Sequence, residues 1–499
     1  RPVKWSCERS EAFQSDEHCR DNVSEAELAL TNDGKFLGLR VNTIVAIGAY
    51  LSQDRNLLSS VMNLGCLAGV YTTPAIHVTV RNVFTNTNST SPYRGAGRPE
   101  AAYIIESMAD LAAKELGLDR TEIRRRNIIP VDAMPFKTGL VYTYDCGEFE
   151  KNMDRVMEMI DYAGFEARRE EAKSRGKLRG IAISNSIERA GAPFPETVEI
   201  RFDPTGTVTI LAGTKDQGQG HDTMYKQLLS DKLGIDTDDV RLVDGDTDKV
   251  SYGLGSFGSR SAIIGGSALH LAADKIIEKG TKIAAQVLEA AEADIAFEDG
   301  QFKIAGTDRS IDVQEIAKIA YNPKQMPKGI EPGFAEIGTF SLEQTTFPNG
   351  CHGVEVEIDE DTGNTELIRY YVVDDVGNVI NPLMLKGQIY GGVAQGVGQA
   401  LMEDIAFDAD SGQLLSGSFM DYTMPRADDF CAMKVESNPV VTEANPLGVK
   451  GAGEAGCVGA LPAVMSAVTD ALSVYGIDYI EMPATAERVW QAIQDAKAA

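Results

Sequence analysis

Residues 198–220 read Val-Glu-Ile-Arg-Phe-Asp-Pro-Thr-Gly-Thr-Val-Thr-Ile-Leu-Ala-Gly-Thr-Lys-Asp-Gln-Gly-Gln-Gly. Apolar residues alternate in Val198–Phe202 and again in Val208–Leu211, with Asp203-Pro204-Thr205-Gly206 between them. Alternation across an Asp/Gly turn marks a β-hairpin. The second strand enters a loop carrying Gly213, Gly218 and Gly220, and the pattern over 222–234 predicts a helix. Hairpin, glycine loop and helix thus form one unit, and the unit predicts a mixed α and β fold.

A similar unit begins at Val354–Ile358 and Thr365–Val373, joined across Asp361-Thr362-Gly363 and followed by a glycine-rich helical stretch at 387–403. The recurrence hints at an internal duplication. A third hairpin runs from Ala26–Leu30 to Phe36–Val45 across Asn32-Asp33-Gly34. Further helices are expected at about 99–117, 148–175, 261–280, 457–474 and 485–496. Arg1–Trp5 reads as a strand already inside a domain, so a preceding segment, on this chain or on a partner, is expected. The charged run Glu166–Arg179 leads into apolar Gly180-Ile181-Ala182-Ile183, which places a boundary between domains 1–170 and 171–499.

The composition narrows the function. The 499 residues are 43% hydrophobic and 24% charged, enough for a large core. The net charge of −27 leaves no basic excess for nucleic acid or an anionic membrane. Seven cysteines form no C-x-x-C pair, and the five histidines show no ligand spacing, so no protein-held metal site is expected. Free thiols suit a reducing, cytoplasmic setting. The best candidate membrane run, after Glu454, is interrupted by Pro462 and closed by Asp470, and no signal-peptide pattern is read. No P-loop and no G-x-S-x-G elbow occur. Gly253/Gly255/Gly258 and Gly451/Gly453/Gly456 match G-x-G-x-x-G but lack the strand and ribose-binding acid of a dinucleotide fold.

The glycine clusters carry the chemistry. Gly448-Val449-Lys450-Gly451-Ala452-Gly453-Glu454-Ala455-Gly456-Cys457 sets one carboxylate among glycines, just before an apolar helix. Glu454 there is either a general base or an acid favoured by the helix dipole. Gly253–Ser261, Gly213–Gly220, Gly387–Gln399 and Tyr93-Arg94-Gly95-Ala96-Gly97-Arg98-Pro99-Glu100 are similar loops. Glycine loops at helix N-termini expose backbone N–H groups to anions, and their Gln and Ser side chains add neutral donors. Together they suit a large, polar, phosphate-bearing cofactor. Arg94 is either a surface or capping residue or a guanidinium that holds a carbonyl or carboxylate. Arg124-Arg125-Arg126-Asn127 at a helix end reads most simply as dipole pairing.

The loops occur in an order that resembles the molybdopterin-binding large subunit of the molybdenum hydroxylases, the xanthine dehydrogenase and aldehyde oxidase family. Within it, the wording is most similar to the form II carbon monoxide dehydrogenase-like large subunits. The resemblance runs from Arg1-Pro2-Val3-Lys4-Trp5 to Arg488-Val489-Trp490. It implies an α+β chain of two molybdopterin-binding domains, with 1–170 the end of the first and 171–499 the second. It implies Glu454 as base and Arg94 as the arginine that stabilises the transition state. Gly218, Gln219, Gly220, Gly258, Ser259, Arg260, Ser261, Gln388 and Arg126 would contact the cofactor. That cofactor would be molybdopterin or molybdopterin cytosine dinucleotide, with molybdenum held by the pterin dithiolene and by no side chain. The implied activity is hydroxylation of an aldehyde or N-heterocycle with water as oxygen source. Partners would be an iron–sulfur subunit with [2Fe–2S] clusters, an FAD subunit, and a chain or segment supplying the family's N-terminal part, in a dimer of heteromers. Copper-containing carbon monoxide dehydrogenases carry a cysteine where Gly95 and Ala96 stand here. Without that thiolate no ligand for Cu(I) is read, which argues against carbon monoxide oxidation; that activity, or a non-catalytic assembly role, is the alternative.

Overall fold

The structure, a computed structural model, describes residues 3–53, 56–57 and 65–498. In its first part, β1 (Asn22–Leu30) and β2 (Phe36–Ala46) form the expected hairpin, and β3 (Ala75–Val83) joins β2 in parallel. A short pair, β4 (Phe136–Lys137) and β5 (Thr143–Tyr144), precedes helices Phe149–Ile160 and Phe165–Ser174. The helix expected over 148–175 is split at Asp161, whose φ of +55° breaks the right-handed backbone. Val3–Trp5 forms no strand, because no neighbouring strand pairs with it and Trp5 stays exposed; Arg1 and Pro2 lie outside the described residues.

The remainder holds β6 (Lys177–Ile187), β7 (Glu196–Phe202), β8 (Val208–Ala212) and β9 (Val240–Asp244). After a small antiparallel sheet of β10 (Ile295–Glu298), β11 (Gln301–Ile304) and β12 (Ser310–Asp312) come β13 (Ala335–Phe340), β14 (Asn349–Asp359), β15 (Thr365–Asp375) and β16 (Lys434–Ser437). Two four-stranded sheets result, in the orders β13-β7-β8-β9 and β16-β15-β14-β6. In each, a hairpin is flanked by an antiparallel strand on one side and a parallel strand on the other. A helix crosses over to each parallel strand, His221–Leu233 in one and Pro382–Leu401 in the other. A long helix follows each, Gly266–Val287 and Ala455–Leu472.

The hint of duplication is therefore visible in the topology, and the two repeats exchange their leading strands. β6 precedes the first hairpin but pairs with the second, and β13 precedes the second but pairs with the first. One glycine in each leading strand lets a long helix lie against it. A Cβ on Gly180 would fall 2.1 Å from the Ala467 carbonyl oxygen, and one on Gly338 would fall 2.0 Å from that of Ala268. Such contacts exclude any side chain.

Helix Ala455–Leu472 continues through Pro462, and the segment 455–475 is long and apolar enough to cross a bilayer, contrary to the expectation that Pro462 and Asp470 interrupt the run. It is buried inside this chain, packed on β6, β14 and helices Pro382–Leu401 and Arg98–Leu116. Its apolarity belongs to a core, where proline loses one helical bond without breaking the packed helix. A second core joins the β1–β2 hairpin and helix Phe149–Ile160 to Ile181, Ile183, Cys351 and Val373, so apolar packing runs unbroken across position 170.

Candidate active site

All five glycine-rich stretches meet around one cavity of about 780 Å³, a size that accommodates a large cofactor. Its wall includes Arg94, Gly218, Gln219, Gly220, Gly258, Ser259, Arg260, Ser261, Gln388 and Glu454. Every expected site residue but one is brought together there. The exception, Arg126, does not line the cavity. It closes helix Arg120–Asn127 against the β1–β2 hairpin, donating to Glu122 Oε1 at 2.8 Å and to the Asp33 carbonyl at 2.6 Å. The plain dipole-pairing reading of the arginine run describes it.

The loop 93–97 turns sharply before helix Arg98–Leu116. Gly95, Ala96 and Gly97 all have positive φ, at +100°, +30° and +89°. A Cβ on Gly95 would lie 2.6 Å from Pro99 Cγ. The backbone N–H of Gly95 that this turn aims inward donates to Glu454 Oε1 at 2.9 Å. The other oxygen, Oε2, accepts from Ser259 Oγ at 3.1 Å and lies 3.7 Å from Arg98 Nη2. Gly451 permits this approach: a Cβ there would be 2.7 Å from the Ser259 carbonyl oxygen.

The Glu454 side chain is only 13% exposed. Burial disfavours its charge, but Arg98, Glu188, the Gly95 N–H and Ser259 together outweigh burial and hold its pKa below the ordinary carboxylate value. Glu454 is thus an ionised acceptor at the cavity wall at neutral pH. It is also the N-cap residue of helix Ala455–Leu472, so both sequence readings describe it, but its side chain makes no cap hydrogen bond.

Arg94 is largely spent on protein. Nε donates to the Gly453 carbonyl at 2.5 Å, Nη1 to Gln395 Oε1 at 3.0 Å, and Nη2 to the carbonyl and Oε1 of Gln388 at 3.0 and 3.1 Å. Four of the five N–H groups of a guanidinium are therefore occupied. Arg94 thereby ties the loop 93–97 to the loop 448–454 and to helix Pro382–Leu401. Buried Arg20 supports it from behind, donating to the carbonyls of Tyr93 and Arg94 and to Gln399.

Arg260 also differs from a cofactor contact. Its guanidinium is fully buried and donates to Glu196 and to the carbonyls of Gly255, Phe194 and Pro195. The loop 213–220 does not present a free amide cradle either. Asp216 accepts the N–H groups of Gly218 at 2.8 Å and His221 at 2.9 Å, occupying the helix N-terminus internally. Ser261 opens a π-helical turn, Ser261–Gly265, a deformation often found at functional sites.

What remains open is neutral and polar. His221 lines the cavity, is 3% exposed, and its Nδ1 has no partner. Burial holds its pKa below the ordinary value, so it is neutral at pH 7. Gln217, Gln219 and Ser256 stand beside it in the wall. An unpaired buried nitrogen amid amides and hydroxyls fits a hydrogen-bonding heterocycle with a polar tail. Of the further wall residues, Gln395 had a usable signal, since it follows Gln388 by two helical turns on the same face. Glu188, behind the wall, had none.

The model of the molybdopterin cofactor-binding domain matches residues 155–431, and a second such model matches 1–128. The carbon monoxide dehydrogenase large chain of Hydrogenophaga pseudoflava is 36% identical over 99% of this chain and 63% of its own length. The nicotine 6-hydroxylase large subunit of Paenarthrobacter nicotinovorans is 35% identical over 98% of this chain and 62% of its own. The crystal structure of quinoline 2-oxidoreductase from Pseudomonas putida 86 superposes with a TM-score of 0.93 at 33% identity, covering 98% of this chain and 64% of that one. The chain thus spans a little under two thirds of the length of these relatives. With the cavity that its loops enclose, these matches show that the chain belongs to the molybdopterin cofactor-binding family of the xanthine dehydrogenase and carbon monoxide dehydrogenase large subunits.

Proposed function

We propose that this chain is the molybdopterin-binding catalytic part of a molybdenum hydroxylase, oxidatively hydroxylating an aldehyde or N-heterocycle with oxygen drawn from water. The observation that carries the reading is the ionised Glu454 carboxylate, oriented by Gly95 N–H and Ser259 Oγ at the wall of the cofactor-sized cavity. Gln219, His221, Ser256 and Gln388 would hold the pterin and its tail, as molybdopterin or its cytosine dinucleotide. When bound, the group supplies two-electron redox chemistry. The chain's own part is to bind, orient and take a proton. Glu454 Oε1 accepts the Gly95 N–H and keeps a lone pair, so the carboxylate can take a proton from the water-derived nucleophile. Electrons would leave through [2Fe–2S] and FAD partner subunits, in a cytoplasmic dimer of heteromers.

The test is Glu454→Gln in the assembled enzyme. The amide keeps the shape but cannot accept a proton, so turnover should fall roughly 10²–10⁴-fold while molybdenum and pterin stay bound. Wild-type turnover in that variant would overturn the base. Carbon monoxide oxidation is the second reading, favoured by the similarity to a carbon monoxide dehydrogenase. The loop that holds a cysteine in copper-containing relatives has Gly95 and Ala96 here, so no thiolate stands there for Cu(I). Copper analysis and a carbon monoxide assay of the same preparation separate the two.

A further inference from the structure

A second carboxyl, Glu188, lies directly behind Glu454, just after β6. It is 1% exposed and does not line the cavity. Its Oε1 accepts from Ser259 Oγ at 2.9 Å, the same hydroxyl that reaches Glu454 Oε2. Arg98 Nη2 stands 3.8 Å from Glu188 and 3.7 Å from Glu454. Glu188 Oε2 is buried and receives no donor. A hydroxyl has one proton and cannot serve both acids. Two buried carboxylates sharing one hydroxyl and one distant guanidinium would repel strongly. Ser259 adds a sign of function: it adopts φ +55°, uncommon for a residue other than glycine, and that turn puts its hydroxyl between the acids.

We infer that Glu188 is a positioning residue that holds a proton on its otherwise unpartnered Oε2 and donates it to Glu454, fixing the base as the charged member of a carboxyl pair. The inference rests on Glu454 being the base. The two carboxyls face each other across Ser259 Oγ, and burial first, then the Glu454 charge, push the Glu188 pKa well above the ordinary value. Glu454 moves the other way. Among the described residues, the charged or titratable groups facing Glu188 besides Glu454 include Arg98, Arg189 and Cys66. With that proton in place the pair carries one negative charge. As pH rises, Glu188 loses its proton, the donor to Glu454 vanishes, and two carboxylates oppose each other.

The test combines pH–rate profiles with infrared pH-difference spectra of the assembled enzyme. In the wild type, kcat/KM should fall tenfold per pH unit above the Glu188 ionisation. The carbonyl band of a buried protonated acid should bleach with the same midpoint. In Glu188→Gln the amide stays a neutral donor at every pH, so both the alkaline limb and the band should disappear. In Glu454→Gln the band should remain but bleach at a pH lower by more than about one unit, because the neighbouring charge is gone. Asp374→Asn, which removes a different buried acid, should leave that band in place. A structural Glu188 would leave the alkaline limb and the Glu454→Gln midpoint unmoved, and either result overturns the proposal. If Glu188→Gln does not fold, the midpoint shift in Glu454→Gln decides alone. An active Glu454→Gln enzyme with a shifted band would overturn the base and leave the pair standing. An inactive one with an unmoved band would do the reverse.

Discussion

Replacing Arg94 separates a clamp from a catalytic arginine. Its four hydrogen bonds tie the Gly453 carbonyl, Gln395 and both oxygens of Gln388 to the loop 93–97. A charged hydrogen bond contributes about 1.5–3 kcal/mol net. Arg94 is half-buried on a cavity roomy enough for water, so water can replace several of these partners. Arg94→Met, which keeps an unbranched side chain and removes every donor, should thus lose about 2–4 kcal/mol in total, well below the sum of the bonds. The loss should appear as a lower denaturation midpoint at unchanged m, and as molybdenum and pterin content reduced at least tenfold, because Gln388 loses its orientation. Arg94→Lys should recover only part, since an ammonium cannot reproduce the planar fork. Denaturant titration, metal analysis and kcat on the same preparations measure all three. Full stability and full cofactor content with kcat reduced about 100-fold would refute the clamp and return Arg94 to the transition state.

Gly95→Ala should lower cofactor content and thermal stability sharply, since its φ of +100° and the 2.6 Å approach to Pro99 leave no place for a methyl; thermal melting with metal analysis tests it. Gly180→Ala and Gly338→Ala should destabilise alike, each by about 2–3 kcal/mol, because each methyl meets a helix carbonyl in matching repeats; denaturant titration of both tests the duplication. Asp374 is buried with both oxygens unpartnered, and burial first, then Asp375, pushes its pKa up to about 8. Its folded pKa lies above its unfolded one, so stability is fullest below the unfolded value and is lost as pH rises toward 8. The stability of Asp374→Asn relative to wild type should therefore climb by about 1.4 kcal/mol per pH unit between roughly pH 4 and 8, in denaturation series across that range.

The three hairpins could be read from the sequence because each pairs neighbouring segments across an Asp/Gly turn. The strands β3, β6, β9 and β16 could not, because their partners lie across helices or in the other repeat. Helix Ala455–Leu472 was placed correctly, but periodicity could not say whether its apolar surface faces lipid or protein; neighbours decide that. At the site, glycine loops revealed where side chains cannot stand, and so where a ligand approaches. They could not reveal that Asp216 fills its own loop's amides or that Arg260 turns inward to Glu196. Those are choices between equivalent polar partners, made only once distant segments meet.

The topology explains why one acid among so many became the candidate base. The loops 253–261 and 448–454 hold equivalent places, each between a parallel edge strand and a long helix. In one repeat that place carries Ser259, in the other Glu454. The close pass of Gly451 over Ser259 brings the two helix starts together, so each repeat delivers one polar group to the same point. The exchanged strand β6 then delivers Glu188 to the seam, and helix Arg98–Leu116 delivers Arg98. A carboxylate on either repeat alone would be buried without its hydroxyl or its cation, and burial would raise its pKa as it does for Asp374. Glu454 stays ionised because the seam between the repeats supplies partners that neither repeat contains by itself.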